Sequence, residues 1–283
     1  MPVLPRRKVL ITGAAGGMGR AAARLMGASD DLVLTDVVAP RLDGFADELR
    51  ADAYNVVAHA GDMNDAALIG RLIDELRGTA PFAVIHTAGL SPSLAGWEAI
   101  LEVNLLSTVR LLDALEPALV PGSVAVLIAS SAGYMMPVAP QVDAVLAEPL
   151  APGFIDTMRG VIEGMGGETS PAGMGGIAYI LSKRAVHTLC QSRGLTWGPL
   201  GARIASISPG LILTPMGRAE MEHTRGAKEL LDATPVGRAG MPMDIALAAQ
   251  FLASDAASFI SGTDLLVDGG GTAGILAAAA RQG

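Results

Sequence analysis

The stretch that most constrains the fold lies near the start of the chain. A compact apolar run, Val9-Leu10-Ile11, passes straight into Thr12-Gly13-Ala14-Ala15-Gly16-Gly17-Met18-Gly19, and an amphipathic segment, Gly19–Met26, follows. A buried strand that turns through glycines into a helix lets backbone come close to whatever sits at the turn. The first N–H groups of the helix lack intrahelical partners and face the same point. Phosphate anions suit that place, so strand, glycine turn and helix in this order predict a dinucleotide site. Its candidate contacts are Gly13, Gly16, Gly17, Met18 and Gly19.

The rest of the chain repeats the alternation. Short apolar runs at Leu32–Leu34, Val56–Ala58, Ala83–Ile85, Val124–Ala129, Arg203–Ile207 and Asp264–Val267 read as further strands. Most show no period-two pattern, which implies burial on both faces. Between them lie helical patterns such as Ala66–Arg77, Trp97–Leu115, Ile180–Trp197 and Pro242–Leu252. Strand–helix–strand alternation predicts an α/β fold: a doubly wound parallel sheet in a single domain, with helices on both faces. Aromatic residues make up only 4% of the chain against 51% apolar residues, so Ala, Val, Leu and Ile must build the core. The net charge of −8 repels a polyanionic backbone and argues against nucleic acid as a partner. One cysteine, Cys190, rules out an intrachain disulfide and reads as a buried small side chain. That usage fits a cytoplasmic location. Apolar stretches fall short of the ~18 residues of a spanning helix, so no membrane partner is expected. The basic residues of Met1–Lys8 precede too short an apolar run for a signal peptide and read as the entry to the first strand.

The second strand ends in Leu34-Thr35-Asp36. An acidic side chain there, about 20 residues past the glycines, suits a ribose 2′-hydroxyl and repels a 2′-phosphate. No basic residue lies within the glycine turn, and Arg41 is the nearest after Asp36. This points to NAD rather than NADP. Asp62 and Met63 follow the third strand; Asp62 can accept from an adenine amino group, or cap a helix beginning at Asn64, or both.

Tyr179-Ile180-Leu181-Ser182-Lys183 places a phenol and an ammonium at i and i+4 on one helical face. A phenol near pKa 10 is a poor base at neutral pH, and a neighbouring cation favours its ionised form. The pair therefore suits proton transfer to and from a bound hydroxyl.

With these features the sequence resembles the short-chain dehydrogenase/reductase superfamily, from Val9 to about Gly271. The glycine turn fits two spacings within it: Gly13, Gly17 and Gly19 match the single-domain branch, and Gly13, Gly16 and Gly19 the epimerase-like branch. His86-Thr87-Ala88-Gly89 likewise stands between the two patterns; His86 replaces the usual Asn and reads as a structural substitute, not a base. The second half resembles the single-domain branch through Ser208-Pro209-Gly210, Leu213-Thr214-Pro215-Met216, and the ending with Ser261-Gly262 and Val267-Asp268-Gly269-Gly270. The resemblance implies a Rossmann-type fold. It also implies that Ala88, Gly89, Pro209 and Gly210 line the cofactor, that Ile212 bonds the carboxamide through its backbone, and that Thr214 holds a phosphate oxygen. Tyr179 and Lys183 would serve both catalysis and cofactor binding. A serine at the end of the fifth strand would bind the substrate oxygen; Ser130 and Ser131 compete, and the SxxG spacing to Gly133 favours Ser130. Asn104 would kink its helix and hold a water that links Lys183 to solvent.

Ser130 and Tyr179 lie 49 positions apart, further than is usual in this family. The segment 135–176 is rich in Gly, Pro and Met and reads as a lid-like insertion beside the pocket, with Gly164–Gly167 and Gly173–Gly176 as helix breakers. Bacterial 3α-hydroxysteroid dehydrogenase/carbonyl reductases carry a comparable insertion, which implies a steroid or bulky aromatic ketone and its alcohol. Met135, Met136, Met158, Met165 and Met174 would line an adaptable apolar pocket; packing at a subunit interface is the alternative. The expected function is NAD(H)-dependent interconversion of a secondary alcohol and a ketone. A 3-oxoacyl thioester reductase and a non-catalytic dinucleotide-binding regulator remain as alternatives. Family members commonly assemble through the helices that hold Asn104 and Tyr179, which implies a homotetramer or a dimer. No metal is called for.

Overall fold

The computed structural model describes residues 6–78, 80–165, 170–223 and 225–281. Seven strands, β1 (Lys8–Thr12), β2 (Asp31–Asp36), β3 (Val56–Ala60), β4 (Ala83–His86), β5 (Val124–Ile128), β6 (Arg203–Pro209) and β7 (Thr263–Val267), form one sheet in the order β3-β2-β1-β4-β5-β6-β7. All neighbours run parallel, so the chain must return along a helix after each strand. After β3 the chain crosses to the other side of β1 and lays down β4. The carboxyl ends of β1 and β4 therefore part and open a crevice, the place where this kind of sheet takes its ligand.

The helices divide between the faces. Val9, Ile11, Leu34 and Val126 face a cluster with α1 (Gly17–Met26), α2 (Ala39–Ala51) and α11 (Pro242–Leu252). Leu10, Val33, Ala125 and Leu127 face the other way, onto α3 (Ala66–Leu76), α5 (Ser107–Leu115) and α8 (Pro171–Trp197). Each alternate residue thus meets apolar contacts, which is why these strands read as unbroken apolar runs. α4 (Trp97–Leu101) continues into α5 through one π-helical turn, Glu102–Leu106. The remaining helices are α6 (Pro140–Leu146), α7 (Phe154–Gly164), α9 (Pro215–His223), α10 (Arg225–Asp232) and α12 (Gly271–Ala280). Among the described residues no helix is long and apolar enough to cross a membrane.

The insertion differs from the sequence reading. Its described residues fold as α6, α7 and the start of α8. Leu146, Phe154, Met158 and Ile162 pack against Leu101, Leu105, Val109 and Leu181 of α4, α5 and α8 and the π-helical turn between them. Met158 is fully buried there, and Met136, Met165 and Met174 pack against the same cluster. These methionines thus build a satellite core instead of lining a substrate pocket. Gly173–Gly176 do not break a helix; they lie inside α8. Ser170 caps that helix by accepting from the Gly173 N–H at 3.2 Å, Pro171 occupies its first turn, and packing of Ile177 and Ala178 offsets the roughly 1 kcal/mol that each glycine costs relative to alanine. Gly164 closes α7, and Gly166 and Gly167 lie outside the described residues.

Candidate active site

The glycine turn sits at the crevice as the pattern requires. Gly13 has φ +62°, and a Cβ there would stand 2.8 Å from the backbone nitrogen of Ala88, so the ends of β1 and β4 can approach only because residue 13 is glycine. Gly16, Gly17, Met18 and Gly19 follow around a cleft of about 390 Å³, whose other walls are Ala88 and Gly89 on one side and Thr214 on the other. Asp36 reaches into this cleft from the end of β2. One of its carboxylate oxygens accepts from the Ala15 N–H and the other from the Val38 N–H, both at 3.0 Å. The side chain is thereby held beside the glycine turn. Arg41 also lines the cleft. Arg20, just after the turn, points away: its guanidinium lies 4.1 Å over the Phe45 ring and 2.7 Å from Glu48.

Of the two roles expected for Asp62, the helix cap does not hold. Asp62 is exposed, and its carboxylate accepts from the Asn64 N–H at 2.8 Å in a turn. The helix cap is Asp65, which accepts from Ala67 N–H, because α3 begins at Ala66 and not at Asn64. Met63 is buried in the core under β1 and β2. Neither lines the cleft described above.

Next to the nucleotide cleft is a smaller cavity of about 80 Å³ into which Ser130, Tyr179, Lys183, Pro209, Gly210 and Ile212 face. Tyr179 and Ser130 both face this cavity, and the serine hydroxyl favours the ionised phenol. Gly133 makes this meeting possible: a Cβ there would stand 2.7 Å from the His187 ring and 3.0 Å from the Arg184 nitrogen. The short turn after Ser130 can therefore lie flat on α8. The Ser130 Oγ also accepts from the Ala132 N–H at 3.1 Å. Ser131 is buried and is absent from the cavity wall. Lys183 Nζ donates to the Ile128 carbonyl at 2.9 Å and lies 5.7 Å from the centre of the Tyr179 ring.

Asn104 stands in the π-helical turn. Its side chain accepts from the Leu90 N–H at 2.7 Å and donates to the Leu90 carbonyl at 2.9 Å, so it ties the loop after Gly89 to the helix. A Cβ on Gly89 would lie 3.2 Å from the Asn104 oxygen and 3.5 Å from Lys183 Nζ, which puts all three at one point. Thr214 Oγ1 accepts from Gly217 N–H at 3.0 Å at the start of α9, which leaves its own O–H to donate toward the cleft. The backbone around Ile212 is fixed by a bridge to Gly240 and by the Thr214 N–H, which donates to the Ile212 carbonyl at 2.7 Å.

The electrostatics of the cavity are those of a buried polar site. Burial pushes Tyr179 up to about 12; the Ser130 hydroxyl opposes this and the nearby Glu220 adds to it. Burial pulls Lys183 down to about 8, against the pull of Glu220. For the phenol, then, desolvation outweighs the help of Ser130. His86 is drawn down to about 3 by burial first and the Lys183 charge second, so it is neutral and no base. Glu220, on α9, escaped the sequence reading. It lines the cavity, and burial holds its pKa above the usual carboxylate range against the opposing effects of Ser91 and Lys183. Thr87 and Met216, which line both cavities, were also missed. The only local signal for Glu220 was its place in a polar helix after Thr214-Pro215-Met216.

Residues 7–142 match the family model described as short chain dehydrogenase, and residues 162–272 match one described as Enoyl-(Acyl carrier protein) reductase. The chain is 32% identical to galactitol 2-dehydrogenase (L-tagatose-forming) of Cereibacter sphaeroides, over 93% of both chains. It is 30% identical to the 3-alpha-hydroxysteroid dehydrogenase/carbonyl reductase of Comamonas testosteroni, over 66% of this chain and 71% of that one. Among solved structures, a short-chain type dehydrogenase/reductase from Mycobacterium ulcerans superposes with a TM-score of 0.74 at 25% identity, covering 95% of this chain and 90% of that one. The parallel sheet with its glycine turn, the two adjoining cavities and these relatives agree, and the chain belongs to the short-chain dehydrogenase/reductase family, an oxidoreductase that acts on alcohols and ketones with a nicotinamide dinucleotide.

Proposed function

We propose that the chain is a single Rossmann-type domain that uses NAD(H) to interconvert a secondary alcohol and a ketone, with Tyr179 as acid/base, Ser130 as partner of the substrate oxygen and Lys183 as the supporting cation. The observation that carries this reading is the meeting of Ser130 and Tyr179 in a cavity that adjoins the glycine-lined cleft. The residues fit the cofactor: glycines at a helix start for the pyrophosphate, Thr214 for a phosphate oxygen, Ile212 for the carboxamide, and Asp36 for a ribose hydroxyl. When bound, it supplies the hydride acceptor and a positive ring. Ser130 and Tyr179 hold the substrate oxygen between them. Tyr179, ionised, takes the hydroxyl proton as the carbinol carbon loses hydride. The Lys183 ammonium stabilises the phenolate. Reduction runs the same steps backward.

NAD is favoured over NADP by charge. The Asp36 carboxylate occupies the place beside the turn, and Arg20 is already engaged by Phe45 and Glu48. For the substrate, the carboxyl of Glu220 gives the cavity a polar wall. With a polyol dehydrogenase among the relatives, this favours a small hydroxylated alcohol over the steroid or bulky aromatic expected from the insertion. The insertion packs elsewhere. It packs on α4, the π-helical turn and the facing sides of α5 and α8, part of the surface through which a tetramer was expected. Met243, Leu247 and Phe251 of α11, with Phe259 and Leu266 at the β7 edge, remain exposed, so a dimer through that edge is the assembly proposed. Light scattering that gave a strict monomer would remove this part of the reading.

Titration with NADH and with NADPH, followed by nicotinamide fluorescence, tests the cofactor. NADH is expected to bind at least roughly tenfold tighter, the 1.4 kcal/mol expected of one well-placed charged contact. Tighter NADPH would reject Asp36 as the discriminator and move acyl thioesters to the head of the substrate panel. Turnover of secondary polyols with NAD, lost in Tyr179→Phe, tests the chemistry.

A further inference from the structure

His86 ends β4, where the sheet divides, and pairs in register with Thr12 of β1. It is buried between two hydroxyls: Nδ1 lies 2.8 Å from Thr12 Oγ1, and Nε2 lies 2.9 Å from Thr108 Oγ1. Each hydroxyl has a further partner. The Ala88 N–H donates to Thr12 Oγ1 at 3.2 Å, and Thr108 Oγ1 donates to the Asn104 carbonyl at 2.9 Å.

These contacts fix every proton. A carbonyl only accepts, so the single hydroxyl proton of Thr108 must point at Asn104. Toward His86 the Thr108 oxygen is then an acceptor, and Nε2 must carry hydrogen. The imidazole is neutral, so Nδ1 is bare and accepts from the Thr12 hydroxyl. Thr12 in turn has an oxygen lone pair for the Ala88 N–H. The chain runs one way: Ala88 N–H to Thr12 O–H to His86 Nδ1, then His86 Nε2–H to Thr108 O–H to the Asn104 carbonyl. Aligned hydrogen bonds of this kind polarise one another in a buried setting.

The two ends of the chain lie in different working parts. Ala88 lines the nucleotide cleft beside Gly13. Asn104 forms the π-helical turn that ties down Leu90 and lies beside Lys183. We propose that His86 is a positioning residue, the central link of a directed hydrogen-bond chain that holds the cofactor turn and the Asn104–Lys183 corner in one register. This goes beyond a filler at a strand end: it assigns one tautomer, one direction and an effect on two separate steps. It rests on the functional reading above only for its kinetic arm.

The test begins with a readout that needs no substrate. 15N NMR of the imidazole in the NADH-bound protein is expected to show a protonated Nε2 and a bare Nδ1, unchanged from pH 8 to pH 5. An Nδ1–H tautomer, or titration within that range, would overturn the proposal. Asn matches the Nδ1 side of an imidazole and Gln the Nε2 side, so the two substitutions separate the links. His86→Asn keeps the Thr12 link and cuts the Thr108 link; NADH affinity should stay within about twofold while kcat falls about tenfold. His86→Gln should do the opposite and raise the NADH Kd about tenfold. Thr108→Val, a milder cut at one end, should reproduce the His86→Asn pattern if that variant fails to fold. Equal small losses in Kd and kcat for both His86 variants would mean simple packing and sink the idea. Should no alcohol turn over in the wild type, the tautomer and the NADH affinities still decide this proposal, and the failure falls on the substrate reading alone.

Discussion

Helix α8 carries two polar clusters on successive turns, and they behave differently. The first is Tyr179 and Lys183 with Ser130; the second is His187 with Tyr134, Ser206, Ser208 and Asp264. Both contain a phenol, a serine hydroxyl and a basic side chain. In the second, the Asp264 carboxylate takes the Tyr134 hydroxyl at 2.8 Å and the Ser206 hydroxyl at 2.5 Å, while the His187 Nε2 meets Ser208 at 2.8 Å and its ring packs on Tyr134 at 4.7 Å. That cluster is closed: its donors and acceptors answer one another. The first opens into a cavity, and of the three Lys183 donors one is given to the Ile128 carbonyl. The residue types do not separate a working site from a structural one. What separates them is whether their hydrogen-bonding capacity is spent inside the protein.

The sharpest way to break this comparison is to remove the hydroxyl of Tyr179. Tyr179→Phe should lower kcat about a thousandfold, the range of a lost general acid/base, while NADH binding stays within about twofold. Steady-state rates alongside fluorescence titration would show it. Retained turnover would place the proton transfer elsewhere. Removing Asp264 should do the reverse. Asp264→Ala leaves the Tyr134 and Ser206 hydroxyls without their acceptor, and a loss of about 2–4 kcal/mol of stability is expected in urea unfolding. The rate per folded molecule should stay within about threefold.

The same distinction explains how much could be read from the sequence. The glycine turn, Asp36 and the Tyr179–Lys183 pair were legible because their meaning lies in spacing along one strand or one helix. Strands β1, β2, β4 and β5 were legible because burial on both faces leaves unbroken apolar runs. Asp62 misled because a turn acid and a helix cap look alike until the helix start is known, and Asp65 holds that place. The insertion misled because glycine is a breaker only where nothing compensates. At Gly173–Gly176 a serine cap, Pro171 and the packing of Ile177 and Ala178 do so. Glu220 and the partners of His86 were out of reach, since they depend on which loops meet over the crevice. The packing of Phe154 and Met158 against α4, α5 and α8 was likewise visible only in the fold.

A buried cation in an open site should also cost stability. Lys183 sits at about 8 in the folded protein against 10.5 when exposed, chiefly through burial. Between those pH values the folded state binds fewer protons than the unfolded state, so stability rises with pH through that window. Below about pH 8 the penalty is present in full. Lys183→Met should therefore abolish turnover yet raise stability at pH 7 by about 1–3 kcal/mol, with the gain fading above pH 10. Loss of the attraction to Glu220 keeps the figure at the lower end. Thermal unfolding at pH 7 and pH 10 measures both, and a destabilised variant at pH 7 would show that the lysine is as fully compensated as the closed cluster.

The smallest effect is the most discriminating. Tyr134 and Tyr179 are two phenols beside one helix, and both are raised above the usual range, mainly by burial. Tyr134 is half-exposed, and its hydroxyl belongs to Asp264. Tyr134→Phe removes one hydrogen bond to a charged acceptor that keeps Ser206 as a second donor, so only about 1 kcal/mol should be lost. The ring still packs on His187, the turn that carries Ser130 stays on α8 through Gly133, and kcat should change less than twofold. If kcat instead fell tenfold with NADH affinity intact, the Asp264 cluster would be acting on the position of Ser130. The closed cluster would then be part of the catalytic apparatus, and a spent hydrogen bond would no longer mark a residue as structural.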